Sequence, residues 1–273
     1  MVLSESELEN LARRVRGRII EMAYASSGSH VGSALSCADI LAVLYGAVMR
    51  VGLSSLDHPD RDRFVLGKGH AASALYAVLA EQGFFPPELL SEYNRAGGRL
   101  PDHPAPGCAP GIEAASGSLG HGLSIALGLA AAARIQKRAG RVFVLLGDGE
   151  CNEGSVWEAA MLASALRLGN LLAVVDFNKW QATGRSCEVC GLEPLAEKWR
   201  AFGWRAHEVD GHDIKALSAV FGRFPDPSGR PSVVIAHTVK GKGVSFMEDD
   251  NNWHYRVPDG QDRARALAEL GLS

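Results

Sequence analysis

Short apolar runs, uncharged except over Trp204–Val209, alternate with amphipathic segments along the second half of the chain. The runs predict strands over Trp204–Val209 and over Val142–Leu146, Leu171–Val175 and Val233–Ala236, and the segments Val156–Leu168 and Ile214–Phe221 have helical spacing. Strands that are apolar along their whole length belong to parallel sheets covered by helices on both faces. The pattern predicts the α/β class: a single doubly wound domain over residues 1–273, with a mostly parallel sheet flanked by helices.

The first half of the chain is more helical. Apolar residues recur at helical spacing over residues 5–25, ending at Ser26-Ser27-Gly28. Further helices are predicted over 37–49, 71–82, 123–137 and 262–272, and one short strand over Phe64–Leu66. Residues 94–117 are rich in glycine and proline and are predicted to be a loop.

Charge and composition exclude several partners. The 273 residues are 47% hydrophobic and 22% charged, and 28 basic against 31 acidic side chains give a net charge of −3 without any basic block. This balance excludes nucleic acid and anionic membranes as partners. No apolar stretch resembles a signal peptide or a membrane helix, and five cysteines do not make a disulfide framework. The sequence predicts a protein of the reducing cytoplasm.

Oxygen-bearing side chains follow two successive predicted strands. Gly147-Asp148-Gly149 ends one strand and Asp176-Phe177-Asn178 ends the next, one crossover helix later. Ligands of open α/β sheets bind at the carboxyl ends of the strands, and Mg²⁺ takes one or two protein oxygens together with phosphate and water. Gly-Asp-Gly alone is more often an ordinary turn, whereas the two ligands together favour a metal and phosphate site.

These segments also resemble a known family. GDGECNEG (Gly147–Gly154) followed by LGNLLAVVDFNKW (Leu168–Trp180) is similar to the thiamine diphosphate motif of transketolases. The resemblance implies thiamine diphosphate and Mg²⁺, which Ca²⁺ or Mn²⁺ can replace. It assigns the cation to Asp148, Asn178 and the backbone carbonyl of Trp180, with Asn178 also touching the cofactor. Gly149 would meet the diphosphate, and Glu153 would lie where the two cofactor-binding halves meet.

Five other segments resemble transketolase loops in the family's order: SSGSHVGSALS (Ser26–Ser36), FVLGKGHA (Phe64–Ala71), LPDHP (Leu100–Pro104), GSLGHGLSIALG (Gly117–Gly128) and AHTVKGKGVSFMEDDNNWH (Ala236–His254). The resemblance implies catalytic, substrate-facing roles for His30, His103 and His254. It implies cofactor contacts from Ser33, His70, Gly117, Ser118, Leu119, Lys240 and His254.

Some positions depart from the family or stay outside the predicted site. Ser29-His30-Val31 replaces the usual Gly-His-Pro, His121 replaces a common Gln, and Tyr255-Arg256 replaces a Gly near the substrate entrance, which leaves the substrate open. His58, His207 and His212 are assigned to polar turns, and His237 to the core of a strand. Cys187 and Cys190 are interpreted as incidental thiols; half a zinc site or a redox pair is the alternative.

The resemblance also implies a missing half. Transketolases carry a second domain with the glutamate that protonates the aminopyrimidine ring, and nothing up to Ser273 corresponds to it. It implies transfer of a two-carbon ketol unit from a ketose to an aldose by one subunit of a heteromeric, α2β2 transketolase acting on sugars or sugar phosphates. The C-terminal, pyrimidine-binding subunit would complete the site. Alternatives are an acyloin synthase or specialised transketolase using a modified or non-phosphorylated substrate, and a non-catalytic, cofactor-binding regulatory subunit.

Overall fold

Five parallel strands form the sheet at the centre of the protein. The computed structural model describes residues 2–272. The strand order is β1-β2-β3-β5-β4, and every neighbouring pair is parallel. The strands are β1 (Arg63–Leu66), β2 (Val142–Gly147), β3 (Leu171–Phe177), β4 (Arg205–Asp210) and β5 (Ser232–His237). The α/β class and the parallel sheet predicted from the apolar runs are confirmed.

Helices cover both faces of this sheet. They are α1 (Glu5–Ser26), α2 (Val31–Ser36), α3 (Ala38–Val43), α4 (Ala72–Glu81), α5 (Gly122–Ile135), α6 (Gly154–Ala165), α7 (Ser186–Val189), α8 (Leu195–Ala201), α9 (Ile214–Phe221) and α10 (Gly260–Glu269). No helix within residues 2–272 is long and apolar enough to cross a membrane.

Side-chain alternation along the strands divides the core into two layers. On β2, Phe143 and Leu145 pack with α1, α3, α4 and α9, whereas Val144 and Leu146 pack with α5, α6 and α8. Successive residues of a strand point to opposite faces, and here both faces are covered. The continuous apolar runs therefore reflect a sheet that is buried on both sides.

The order of the strands decides where the predicted ligands lie. β2 pairs directly with β3, and Gly147 is in register with Asp176 at the carboxyl end of the pair. Asp148 and Asn178 follow these two positions in the chain. The expectation that they stand at the ends of adjacent strands is confirmed.

The predicted helix over 37–49 is wrong in detail. Helix α2 begins earlier, inside the segment assigned to a loop, and α3 is followed by a π-helical turn over Leu44–Val48. The break falls at Cys37, where the Ser36 hydroxyl bonds back to the Ser33 carbonyl. Such side-chain-to-backbone bonds compete with regular helix. Helices α7 and α8 also lie where no element was predicted, so Cys187 is helical.

Candidate active site

A cavity of about 460 Å³ opens at the carboxyl ends of β1, β2 and β3. It is lined by most of the predicted site residues, namely His30, Ser33, His70, His103, Gly117, Leu119, Asp148, Gly149, Glu153, Asn178, Trp180 and His254. Ser118 and Lys240 are outside this lining: Ser118 is exposed and Lys240 is fully buried. Ligand sites of open α/β sheets occupy this position, which makes the cavity the candidate active site.

Four imidazole rings meet on one side of the cavity. The ring of His30 lies at the centre, with centroids 5.1 Å from His254, 5.4 Å from His70 and 6.1 Å from His103. These residues come from four separate segments of the chain, between α1 and α2, after β1, in the loop before α5, and after β5. The fold thus brings together the histidines that were predicted from separate motifs.

Backbone contacts between loops hold the central histidine. His30 has a φ of 66°, a conformation that non-glycine residues rarely adopt, and its N–H donates to the His254 carbonyl at 2.8 Å. The neighbouring loops are also joined by a bond from Gly241 N to the Gly32 carbonyl at 2.9 Å. Strained backbone of this kind concentrates at functional sites, where surrounding contacts impose it.

Burial keeps three of the clustered histidines neutral, namely His30, His70 and His254. Burial, reinforced by the charges of Lys240 and Lys68, lowers the pKa of His254 to about 3. Burial also lowers the pKa of His30, and it lowers the pKa of His70 well below its ordinary value. Neutral imidazoles can each donate one hydrogen bond and accept another, so these rings are suited to hydroxyl and carbonyl groups of a polyol.

Lys240 sets the orientation of the His254 ring through a hydrogen bond. Its ammonium group lies 2.7 Å from Asn251 Oδ1 and 3.0 Å from His254 Nδ1. A protonated lysine only donates, so His254 accepts at Nδ1 and carries its proton on Nε2. Burial lowers the pKa of Lys240 to about 8, with the Lys68 charge adding to this effect.

The opposite side of the cavity presents oxygen atoms. The Asp148 carboxylate accepts from Gly149 N at 2.9 Å, from Lys179 N at 2.9 Å and from Ser186 Oγ at 2.7 Å. Asn178 Oδ1 accepts from Trp180 N at 3.0 Å. Both side chains are buried, and burial raises the pKa of Asp148 to about 6. A carboxylate in this setting is stabilised by a cation bound beside it.

The ligand oxygens on this side of the cavity suit a hard cation that also takes ligands from outside the protein. Across residues 2–272, no group of three or more His, Cys, Asp and Glu side chains is arranged to hold a metal ion. Asp148 and Asn178 offer one carboxylate and one amide oxygen, which matches the few protein ligands that Mg²⁺ takes when phosphate completes its shell. The residues present therefore fit a Mg²⁺ ion bound together with a diphosphate.

Gly117 lets one loop approach this cavity closely. Its φ is +146°, and a Cβ there would lie 3.1 Å from His103 Cδ2. Any other residue would strain the backbone and push against the His103 ring. The position predicted to contact the cofactor is thus one where only glycine fits without rearrangement.

Comparison with known proteins identifies the chain. The family described as transketolase, thiamine diphosphate binding domain, matches residues 9–272. The chain belongs to the transketolase family. The resemblance found in its motifs is therefore confirmed.

Similar transketolases include forms built from separate subunits. The chain is 41% identical over 269 residues to one subunit of the apulose-4-phosphate transketolase of Actinobacillus succinogenes, covering 98% of this chain and 97% of that one. It is 41% identical over 264 residues to 6-deoxy-6-sulfo-D-fructose transketolase subunit SqwG of a Clostridium species, covering 97% and 96%. Transketolase from Leishmania mexicana superposes with a TM-score of 0.88 at 28% identity, covering 99% of this chain and 42% of that one.

A buried polar network beneath this transketolase cavity was missed from the sequence. Lys68 pairs with Asp176 and donates to the Ser33 carbonyl at 2.9 Å. Asp176 also accepts from Ser36 Oγ at 2.6 Å and from Thr238 Oγ1. The network ties the loop after β1 to α2 and to the ends of β3 and β5. The sequence indicates this network only through the positions of its charged residues: Lys68 lies in the GKGH motif, and Asp176 lies two residues before Asn178.

Glu150 is a further residue that the motif comparison passed over. Its carboxylate accepts from Gly120 N at 3.0 Å and Gly147 N at 3.2 Å, and it lines the cavity. Burial raises its pKa to about 7. The side chain holds the loop before α5 against the end of β2, whereas the predicted Glu153 is exposed at the rim.

Three histidines lie in surroundings that the sequence did not indicate. His207, assigned to a polar turn, lies within strand β4. His212, assigned to a polar turn, is largely buried: its Nδ1 lies 2.7 Å from Asp39 Oδ2, and its Nε2 accepts from Val239 N at 2.8 Å. Asp39 in turn pairs with Arg16 in the interior. His237, assigned to the core, is instead 37% exposed at the end of β5 and pairs with Glu208 at 2.9 Å.

Proposed function

We propose that this chain transfers a two-carbon ketol unit from a ketose donor to an aldose acceptor, with thiamine diphosphate, as one subunit of a heteromeric transketolase. The observation that carries the proposal is the single cavity that combines four clustered imidazoles with Asp148 and Asn178 at adjacent strand ends. A site of this composition can hold a charged diphosphate at one side and a polyol at the other. We also propose that residues 1–273 form one domain and that the enzyme is cytoplasmic.

The oxygen side of the cavity is proposed to hold the cofactor's diphosphate through Mg²⁺, or Ca²⁺ or Mn²⁺ in its place. Asp148, Asn178 and the Trp180 carbonyl would bind the cation, and Gly149 would approach the diphosphate. When bound, thiamine diphosphate supplies the carbanion chemistry of ketol transfer, while the protein supplies orientation and electrostatics. The remaining cofactor contacts are assigned to Ser33, His70, Gly117, Ser118, Leu119, Glu153, Lys240 and His254.

The histidine side is proposed to bind the substrate and to move protons. His30 and His254 would donate to the substrate carbonyl oxygen as it gains negative charge, because both rings are neutral and their backbones are joined. His103 would bind donor hydroxyls from the outer loop, where its side chain is 39% exposed. Lys240 would keep His254 in the tautomer that points Nε2–H away from the lysine.

A partner subunit is proposed to cover α5 and α6. From Gly122 to Ala133, α5 carries no charged residue although seven of these residues are exposed or half-buried, and Ile135 at its end is 79% exposed. Met161 and Leu162 on α6, which packs against α5, are about half exposed. Surfaces of this kind mark protein interfaces. The partner that we propose is a C-terminal, pyrimidine-binding transketolase subunit, in an α2β2 assembly.

The names of relatives suggest the substrate class. Two relatives are named for a ketose phosphate and a ketose sulfonate. We therefore propose a ketose donor with an anionic group remote from the ketol carbons, whose anion is bound by the partner subunit. A modified or non-phosphorylated donor is the second candidate, favoured by Tyr255 and Arg256 where relatives of the family usually have glycine.

Reconstitution tests the proposal. The chain alone with thiamine diphosphate and Mg²⁺ should transfer no ketol from hydroxypyruvate to glycolaldehyde, and adding the C-terminal subunit should produce turnover. Turnover by the chain alone would contradict the need for a partner. Cofactor binding by the complex without any transfer would instead support the alternative of a regulatory subunit.

A further inference from the structure

Tyr255 places an exposed aromatic ring beside the histidine cluster. Its side chain is 64% exposed, yet its ring centroid is only 4.8 Å from His254 and 6.2 Å from His30. An aromatic ring that stays in solvent next to the buried His254 and the half-buried His30 is unusual, because such rings bury most of their surface when a core is available. Both of these histidines line the cavity, so the exposed ring stands outside the lining, at the mouth of the cavity.

The backbone on either side of this ring is held firmly. Trp253 is buried and its indole N–H donates to the Phe246 carbonyl at 3.1 Å. The His254 carbonyl accepts from His30 N at 2.8 Å, and Tyr255 N donates to the Asn252 carbonyl at 3.2 Å. The exposed ring can change rotamer, but its Cα cannot withdraw from the cavity mouth without breaking these contacts.

The next residue is engaged elsewhere. The Arg256 guanidinium lies 4.4 Å above the Trp253 ring and 3.1 Å from Asp262 Oδ2. These contacts direct its charge toward α10 and away from the cavity. Of the Tyr255-Arg256 pair, the tyrosine is thus the residue positioned to meet a substrate.

We propose that Tyr255 is a specificity-determining residue whose ring forms one wall of the substrate entrance and limits acceptor size. Short acceptors, whose chains end near the histidines, fit beside the Tyr255 ring. Longer or branched polyol chains need the space that the ring occupies. This inference rests on the proposed ketol transfer and adds the class of acceptor that it favours: short aldehydes over long or branched ones. A single methylene group that a pocket accepts or rejects changes kcat/KM by about 10–200-fold, and we expect the Tyr255 wall to act at the lower end of this range.

The test compares acceptors in the assembled two-subunit enzyme with hydroxypyruvate as donor. Tyr255→Gly should raise kcat/KM for D-ribose, relative to that for glycolaldehyde, by about tenfold. Tyr255→Phe, which keeps the ring, should retain the wild-type ratio. A ratio that does not change in Tyr255→Gly, or that falls, overturns the proposal. A wild-type enzyme that transfers no ketol to any acceptor refutes the proposed function instead.

A second measurement separates a substrate wall from a contact between subunits and needs no turnover. Tetranitromethane should nitrate Tyr255 in the assembled enzyme about as readily as Tyr24, which is 44% exposed on α1. Analytical ultracentrifugation should show that wild type and Tyr255→Gly bind the C-terminal subunit with equal affinity. Protection of Tyr255 by assembly, or weaker assembly of Tyr255→Gly, would assign the ring to the partner interface and overturn the proposal.

Discussion

The two sides of the active-site cavity are built in different ways. On the oxygen side, Asp148 and Asn178 follow adjacent strands, so hydrogen bonding between β2 and β3 sets their separation. On the histidine side, four rings arrive from four separate segments, and contacts between loops hold them. The first side is an outcome of sheet register, which a motif can indicate. The second depends on long-range packing.

The electrostatics differ as well. The oxygen side has a buried carboxylate whose pKa is raised by burial, so it gains from a cation. On the histidine side, burial and nearby lysines lower the pKa values of His30, His70 and His254, so these imidazoles stay uncharged. We therefore expect substitutions on the first side to affect cofactor binding, and substitutions of His30 and His254 on the second side to affect turnover.

Removing the charged ligand should have the largest effect. We expect Asp148→Ala to weaken Mg²⁺-dependent cofactor binding by more than about 100-fold, since even residues that only support a metal ligand are worth about 10–100-fold. Asp148→Asn, which keeps the size but loses the charge, should also bind poorly. Asn178→Ala should lose less. Calorimetric titration of the assembled enzyme measures these affinities.

The exposed carboxylate Asp57 provides the matched control, because Asp57→Ala should bind the cofactor as the wild type does. Thermal unfolding should show that Asp148→Asn remains folded. Unchanged cofactor affinity in both Asp148 variants would remove this residue from the metal site.

Removing a ring from the histidine side should have the second-largest effect, which is a loss of turnover. We expect His30→Ala and His254→Ala to reduce kcat by about 100-fold with the cofactor still bound, because groups that act as charge develops contribute at least this much. His103→Ala should mainly raise the donor KM, and His70→Ala should weaken cofactor binding. Steady-state constants and titrations of the assembled enzyme check this division.

Exposed His58 is the control for the histidines, and His58→Ala should keep wild-type constants. If His30→Ala and His254→Ala weakened cofactor binding as much as they lowered kcat, the division between the two sides would be wrong.

Lys240 offers a test through pH. Burial lowers its pKa from 10.5 to about 8 in the folded chain. The unfolded chain then binds more protons between these values, so the free energy of unfolding should rise with pH across that window. From pH 7.5 to 9.5 we expect the wild type to gain about 2 kcal/mol relative to Lys240→Met. Urea unfolding of both chains at each pH measures the difference; parallel profiles would mean that Lys240 has its ordinary pKa.

His212 should give the smallest of these effects, but a measurable one. Its Nε2 accepts from Val239 N, one residue before Lys240, and its Nδ1 faces Asp39. We expect His212→Ala to lower kcat by up to about tenfold through misplacement of Lys240 and His254. His212→Gln, which can still accept the Val239 N–H, should recover part of the loss.

Urea unfolding of His212→Ala, compared with its kcat, separates a positioning role from simple loss of stability. A kcat loss that persists at temperatures where His212→Ala is fully folded supports positioning. If His212→Ala matched His58→Ala in kcat, the chain of contacts from Asp39 to Lys240 would have no influence on the site.

The sequence alone determined the class of fold and the oxygen side of the site. Apolar runs such as Leu171–Val175 are buried on both faces and predict parallel strands whatever the rest of the chain does. The residues just after such strands must lie at one edge of the sheet, so Asp148 and Asn178 could be placed together from spacing alone. The histidines were placed only through resemblance to transketolases.

Tertiary structure decided what depends on contacts distant in the chain. Nothing local distinguishes His212 from a turn histidine, because Asp39 lies 173 residues away. The ion pair of Lys68 with Asp176 spans 108 residues, and the neutrality of His30 and His254 comes from burial among loops that the sequence does not join. Local patterns record which face of an element is apolar. The environment that sets a pKa or a tautomer exists only once the chain has folded.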